Sequence, residues 1–419
     1  MTDNPTPAHT AADEQADPPT VPLLAPADGV PPVLVGPDDF AAAAEKLRAG
    51  SGPVAVDTER ASGFRYSQRA YLIQIRRAGA GSFLIDPIEH PDSLAPVISA
   101  LDGPEWVLHA ADQDLPCLHE LGLRCASLYD TELAGRLLGH NRVNLAAMTA
   151  QFLGYELRKG HGAADWSKRP LPDEWLNYAA LDVELLVELR DAMDAALRDA
   201  GKDEWAAQEF AYLLSRPPSP PRQDRWRRTS NIHSLKTARQ LAAVRELWES
   251  REELARQRDV APGRVLPDSA IVDAAQSDPR TVEDLTALKV FGGPRQRRHA
   301  RRWLAALNRA RDLPDDQLPA RKAPTTGLPP VNRWEPRHPA AAARAALVRP
   351  AVVRVAESVS VPAENLLSPE LVRQVCWNGA EPTGSAVDEA LEAGGARPWQ
   401  RELTRDAIAQ ALGEAAKQV

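Results

Sequence analysis

The sequence predicts an α/β domain followed by an all-α region, and three observations carry that prediction. Between residues 33 and 215, strand-like runs come first in succession and then alternate with helical patterns, the order of a mixed sheet flanked by helices. From Ser234 onward the periodicity is helical throughout. Two proline-rich stretches, 216–233 and 313–334, break the chain. Proline fixes φ and removes a backbone donor, so both read as linkers. The expected organisation is a tail over 1–32, an α/β domain over 33–215, and two small helical domains over 234–312 and 335–419.

Residues 1–32 are acidic and rich in Pro, Ala, Thr and Asp, a composition that predicts disorder and lacks the features of a secretory leader. A helix is expected over 38–49, with Phe40, Ala44 and Leu47 on one face. Val54-Ala55-Val56-Asp57-Thr58-Glu59 reads as a buried strand ending in two acids. Strands over 71–75 and 82–86, separated by Gly79-Ala80-Gly81, predict a hairpin. Helix over 94–101, strand over 106–108, helix over 114–121, strand over 127–129 and helix over 131–138 follow. Asn144 opens a helix that Gly154 ends. Residues 157–172 are polar and read as a loop near the site, with His161 facing substrate or solvent. One helix is expected from Asp173 to before Gly201, and another over 205–214.

In the first helical domain a long amphipathic helix is expected over 237–258, then short helices from Asp268 and after Thr281, and a last one over 294–307. A weak internal repeat follows at an offset near one hundred. Val260-Ala261-Pro262 is echoed by Val361-Pro362-Ala363, and Gly292-Gly293-Pro294 by Gly394-Gly395-Ala396. The second helical domain thus reads as a degenerate copy of the first, with a structural role around the substrate path.

The formal net charge of −8 hides an asymmetry. Residues 1–215 hold 17 basic against 33 acidic residues, a net of −16; residues 216–312 hold 21 against 12, a net of +9. The middle of the chain therefore offers the positive surface a phosphate backbone needs. Arg225-Trp226-Arg227-Arg228 could grip a backbone and stack a base, or dock Trp226 on the next core. Arg295, Arg297, Arg298, Arg301 and Arg302 cluster on the expected last helix, and the arginine fork suits phosphate. No run of apolar residues is long enough to cross a membrane. Cys117, Cys125 and Cys376 lack metal-ligand spacing, and so small an odd number fits a reducing cytoplasm. No Gly-x4-Gly-Lys-Ser/Thr loop is present, and no organic cofactor is expected.

Three patterns carry the chemistry. Asp57 and Glu59 are two apart on a strand, so they share a face. His109-x4-Asp114-Leu115 follows a second strand. Tyr178 and Asp182, four apart, share a helix face. In this order they resemble the three exonuclease motifs of the DEDD superfamily, in its tyrosine-bearing branch. Tyr129-Asp130-Thr131 and Asp165-Trp166-Ser167-Lys168-Arg169-Pro170-Leu171 narrow the resemblance to ribonuclease D, and residues 234–310 resemble the HRDC module of ribonuclease D and of helicases of the RecQ type.

The resemblance implies a ribonuclease H-like 3′–5′ exonuclease fold with HRDC-type domains. It also implies hydrolytic trimming of RNA from a free 3′ end, releasing nucleoside 5′-monophosphates, in the maturation of tRNA precursors and other small structured RNAs. Asp57, Glu59, Asp114 and Asp182 would hold two divalent ions, Mg²⁺ or Mn²⁺, about 3.5–4 Å apart, and Tyr178 would orient the attacking water. Asp112 competes with Asp114, which the Asp-Leu pattern favours; Asp86, Glu89 and Asp130 read as surface or supporting acids. Nothing demands more than a monomer. The alternatives are a DNA 3′–5′ exonuclease and an inactive RNA-binding protein on the same fold.

Overall fold

The computed structural model describes residues 19–157, 160–217, 222–322 and 327–418. Its α/β part is built on a six-stranded mixed sheet in the order β2-β5-β4-β3-β6-β7. β3 (Ser51–Arg60) is central, antiparallel to β4 (Ala70–Ala78) and parallel to β6 (Trp106–Leu108). β4 turns tightly into β5 (Gly81–Ile85), the hairpin that the two glycines predict; Gly79 and Gly81 take φ of 78° and 88°. β2 (Val33–Leu34) and β7 (Leu128–Asp130) lie parallel at the two edges. α1 (Pro37–Ala49) and α2 (Ala95–Ala100) bury Phe40, Ala44, Leu47 and Val97 with the sheet residues Val54, Val56, Ile73 and Ile75. α3 (Leu115–Glu120), α4 (Thr131–Leu137) and α5 (Leu145–Leu153) follow where the alternation places them, and Gly154 ends α5 in the left-handed region.

Three expectations for this part need correction. Residues 19–32 belong to the structure rather than to a disordered tail. β1 (Val21–Leu23) pairs in parallel with an unforeseen strand, β8 (Tyr155–Leu157), and Asn177 donates to Leu24 O at 2.9 Å. Backbone pairing and hydrogen bonds to the Asn177 and Glu184 side chains order this segment; residues 1–18 lie outside the described residues. The third-motif helix is two helices, α6 (Asp173–Glu184) and α7 (Leu186–Asp199), broken where Leu185 leaves helical geometry at φ −111°, ψ 6°. Asp86, read as a surface or supporting acid, is 5% exposed and ion-paired to Arg169.

α8 (Asp203–Ser215) closes the α/β part. The proline run of the first linker falls partly on 218–221, outside the described residues. The first helical domain comprises α9 (Ala238–Arg258), α10 (Pro262–Val265), α11 (Asp268–Ser277), α12 (Val282–Ala287), α13 (Pro294–Arg297) and α14 (Ala300–Asp312). Thr237 and Thr281 cap α9 and α12 with reciprocal side-chain bonds from Gln240 and Asp284. The expected single last helix breaks between α13 and α14, so the arginines from 295 to 302 do not lie on one continuous face. The second helical domain repeats the pattern with α15 (Pro339–Ser358), α16 (Ala363–Leu366), α17 (Pro369–Asn378), α18 (Gly384–Ala393) and α19 (Pro398–Ala416). Of the second linker, 323–326 lie outside the described residues, and Trp334 at its end is fully buried in the second domain's core. Among the described residues no helix is long and apolar enough to cross a membrane.

The two domains attach differently. Asp259, ending α9 with φ 47°, accepts from the Tyr66 and Ser67 backbones at 3.1 and 2.9 Å, and Arg264 donates to Gly63 O at 2.7 Å. The second domain joins the apolar core of α7 and α8: Trp205 stacks on Trp399 at 4.9 Å, and Arg397 holds Glu209 by two bonds of 2.6 and 2.8 Å.

Trp226 takes the second of its two expected roles and docks on the core of the next domain. It is 3% exposed, packs with Leu241, Val244 and Trp303, and donates to Asp224 at 3.1 Å, so its ring faces protein and offers no base-stacking surface. Trp226→Ala is therefore expected to destabilise the first helical domain by about 3–5 kcal/mol. Denaturant unfolding followed by circular dichroism tests this; an unchanged midpoint would contradict the packing role.

Candidate active site

The site forms where β3 meets α6. Alternation along β3 sends Asp57 and Glu59 to one face of the sheet, and α6 lies across that face. Tyr178 and Asp182 come from successive turns of α6. Asp57, Glu59 and Asp182 each offer a carboxylate oxygen within 4.8 Å of one another. Asp114 is not part of that trio, although it is close enough to push up the Asp57 pKa. It is buried, and its Oδ1 accepts from Thr58 Oγ1 at 2.6 Å, a bond running between the two acids' elements. Asp112, the competing candidate, is exposed on the turn before it.

Like charge and burial set the electrostatics. The Asp57 carboxyl sits well above the ordinary carboxylate range, through burial first and then Asp114, Asp182 and Glu59. Glu59 is pushed up to about 9 by burial, Asp182 and Asp114. Burial lifts Asp182 to about 7, against a hydrogen bond from Tyr178, and Asp114 to about 6, against its Thr58 bond. Burial and the same acids raise the Tyr178 phenol, which keeps it a protonated donor. The ligand atoms on offer are all oxygens, the donor set of hard cations such as Mg²⁺ and Mn²⁺.

The surrounding loops hold this arrangement. Ala110 takes a left-handed φ of 60° in the turn that delivers Asp114. Asp130 fixes that turn: its carboxylate accepts from Ala110 N, Ala111 N, Glu132 N and Leu133 N at 2.8–3.1 Å. Asp130 is thus a buried clamp, and an acid directly before a helix start was the signal for it. His109 is half-buried, and desolvation lowers its pKa to about 4, so it is neutral, with Nδ1 2.9 Å from Thr131 Oγ1. On the other side, Gly160 presses its backbone on Tyr178: a Cβ there would lie 2.0 Å from the ring. His161 meets the same ring edge-on at 5.9 Å and lines, with Tyr178 and Asp182, a crevice of about 200 Å³.

The arginines stand apart from this site. Arg225 and Arg228 are exposed and border a cleft of about 500 Å³ with Arg222, Arg251 and Trp248. Arg227 is tied to Asp224 at 3.1 Å and to Ala320 O at 3.1 Å. Arg297, Arg298 and Arg301 are exposed, Arg295 donates to Arg264 O, and Arg302 is engaged with Glu253 at 2.6 Å.

The comparisons agree with this geometry. Residues 34–198 match the family model described as 3′-5′ exonuclease, 240–307 the HRDC domain, and 327–412 the 3′ to 5′ exonuclease C-terminal domain. Ribonuclease D of Gluconacetobacter diazotrophicus is 31% identical over 311 residues, covering 72% of this chain and 77% of that one. The chain belongs to the ribonuclease D family. Ribonuclease D of Acidiphilium cryptum is 30% identical over 309 residues, 72% and 78% of the two chains. Among solved structures, a protein from Bifidobacterium adolescentis has a TM-score of 0.84 at 36% identity, covering 94% of this chain and all of that one. Escherichia coli RNase D, described as an exoribonuclease involved in structured RNA processing, has a TM-score of 0.63 at 25% identity, covering 91% and 98%. As a ribonuclease D, the chain is a 3′–5′ exoribonuclease, and its exonuclease fold and acidic cluster suit a divalent metal.

The raised carboxyls give a pH dependence. Their folded pKa values exceed the unfolded ones, so between pH 4 and 9 the unfolded chain binds fewer protons than the folded one. In chelator, the stability these groups contribute should be fully present below about pH 4, where both states hold the protons. It should then fall as pH rises through about 6, 7 and 9. Adding Mg²⁺ should flatten the fall. Thermal melts across pH, with and without Mg²⁺, check this; a metal-independent profile would oppose the site's charge balance.

Proposed function

We propose that this ribonuclease D removes nucleotides from the 3′ end of RNA by two-metal hydrolysis, releasing nucleoside 5′-monophosphates. The observation that carries the reading is the convergence of Asp57, Glu59 and Asp182 within 4.8 Å beside Tyr178. Asp57, Glu59 and Asp182, with Asp114 through the oxygen that Thr58 leaves open, would hold two ions, Mg²⁺ or Mn²⁺. When bound, such ions lower the pKa of water and neutralise charge on the scissile phosphate.

The protein's own groups account for the rest. Tyr178 remains a protonated phenol at neutral pH, so it positions the attacking water as a hydrogen-bonding group and does not act as a base. The backbone at Gly160 keeps its ring in place.

The positive surface of residues 216–312 supports RNA as the ligand, with Arg225, Arg228, Arg297, Arg298 and Arg301 as exposed phosphate contacts and Arg227, Arg295 and Arg302 as partly engaged ones. Similarity to a ribonuclease that acts in structured RNA processing supports tRNA precursors and other small structured RNAs as substrates. We infer a monomer working in the cytoplasm.

Incubating wild type, Asp57→Asn and Tyr178→Phe with a 3′-extended tRNA precursor and its DNA equivalent, in Mg²⁺, tests the reading. Wild type should release mononucleotides from the RNA. Asp57→Asn should lose cleavage while retaining RNA binding, and Tyr178→Phe should lose about 10²–10⁴-fold in rate. Wild-type trimming by Asp57→Asn would overturn the assignment, and preference for the DNA would overturn the substrate class.

A further inference from the structure

Three of the four acids have a side chain that answers them. Thr58 Oγ1 donates to Asp114, the Tyr178 hydroxyl donates to Asp182, and Arg60 lends its positive charge to Glu59. Asp57 has the backbone N–H of Thr58. Directly across the antiparallel ladder from Asp57 stands Gln74, the β4 residue in register with it. Opposed residues of adjacent strands project to the same face, with Cβ atoms about 4.5–5.5 Å apart.

Gln74 is 0% exposed, and among the described residues neither Nε2 nor Oε1 has a hydrogen-bond partner. A buried amide in that condition bears the desolvation cost of both groups without return. A Leu or Met of similar size would fill the space without that cost. The other polar groups along this face are committed. Arg76, two residues on, reaches Ser82 Oγ at 2.8 Å and Glu184 at 3.1 Å, and Glu184 in turn accepts from Ala27 N at 3.0 Å. Leu72, two residues back, is apolar and lies opposite Glu59. Glu184 Oε2, a buried oxygen without a hydrogen bond, is ion-paired to Arg76 at 3.1 Å, so the Asp57 carboxylate, in direct register with Gln74, is the acceptor that the ladder places nearest.

We propose that Gln74 is a positioning residue for Asp57: in the metal-loaded enzyme its side-chain amide donates to the Asp57 carboxylate across the β3–β4 ladder and fixes which oxygen faces the ion. The inference rests on the metal-site reading above. It gives Gln74 the role of Thr58 and Tyr178, and explains an amide in a position that packing alone would fill with an apolar side chain. Groups that orient a metal ligand in this way typically govern affinity by about 10–100-fold.

Mn²⁺ binding to wild type, Asp57→Asn, Gln74→Leu and Gln74→Met, measured by electron paramagnetic resonance and calorimetry, tests this together with thermal melts in EDTA. Gln74→Leu and Gln74→Met should each bind Mn²⁺ about 10–100-fold more weakly, yet melt in EDTA at or above the wild-type temperature. Wild-type Mn²⁺ affinity in both variants overturns the proposal. So does a marked loss of melting temperature in EDTA for both, which would make the amide a structural group of the metal-free core. If wild type fails to bind Mn²⁺, or Asp57→Asn binds it undiminished, the metal-site reading itself falls, a result separable from failure of Gln74 alone.

Discussion

Mutual repulsion among carboxylates is the constraint on which the α/β domain depends. Two unit charges about 4 Å apart repel by roughly 4 kcal/mol at an effective dielectric of 20, and three acids here meet within 4.8 Å. A loose scaffold would relieve that repulsion by moving apart. This one resists because each acid hangs on a backbone fixed elsewhere. β3 is anchored to β6 through Val54 and Ala55 and to β4 through Asp57 and Glu59 themselves, so neither acid can retreat without breaking the β3–β4 ladder. Asp130 spends its carboxylate on four backbone N–H groups and thereby holds the turn that presents Asp114. A cation would remove that cost, so the rigidity that holds the acids together would also favour its binding.

The helical domains divide the remaining work by the way they attach. The second shares a continuous apolar core with α7 and α8, and α7 follows directly from the helix that carries Tyr178 and Asp182. The first keeps its own core and meets the α/β domain through polar contacts centred on Asp259 and Arg264. Small polar interfaces between domains yield more readily than apolar ones. The domain with the positive surface is thus the one whose attachment costs least to adjust.

Much of this was legible because the decisive features are local. Paired acids on a strand, a Tyr-x3-Asp on a helix, glycines flanking a hairpin and threonine caps are short-range signals with one physical meaning each. What escaped were features decided at a distance. β1 and β8 are three residues each and pair across more than a hundred positions, so neither carries a periodic signature. The break at Leu185 interrupts a pattern that reads helical on both sides of it. For Trp226 the sequence left two readings open, and only the fold decides that the ring joins the core of the first helical domain while Arg225 and Arg228 stay outside. Asp130 was visible as a residue, but its four bonds depend on a left-handed Ala110 that no local rule predicts.

The N-terminal strap illustrates how such a distant feature acts on the site. β1 clamps β8, whose last residue lies three positions before Gly160, the residue that presses on Tyr178. The same strap is held to α6 from above by Asn177 at Leu24 and from below by Glu184 at Ala27, one bond on either side of the Tyr178–Asp182 turn. Glu184 passes the connection to Arg76 and so to β4, the strand that carries Gln74 opposite Asp57. A segment whose composition reads as disordered therefore links both halves of the site, the strand that bears two acids and the helix that bears the third. Its hydrogen bonds are few, but two of them land on α6, the helix that bears Tyr178 and Asp182.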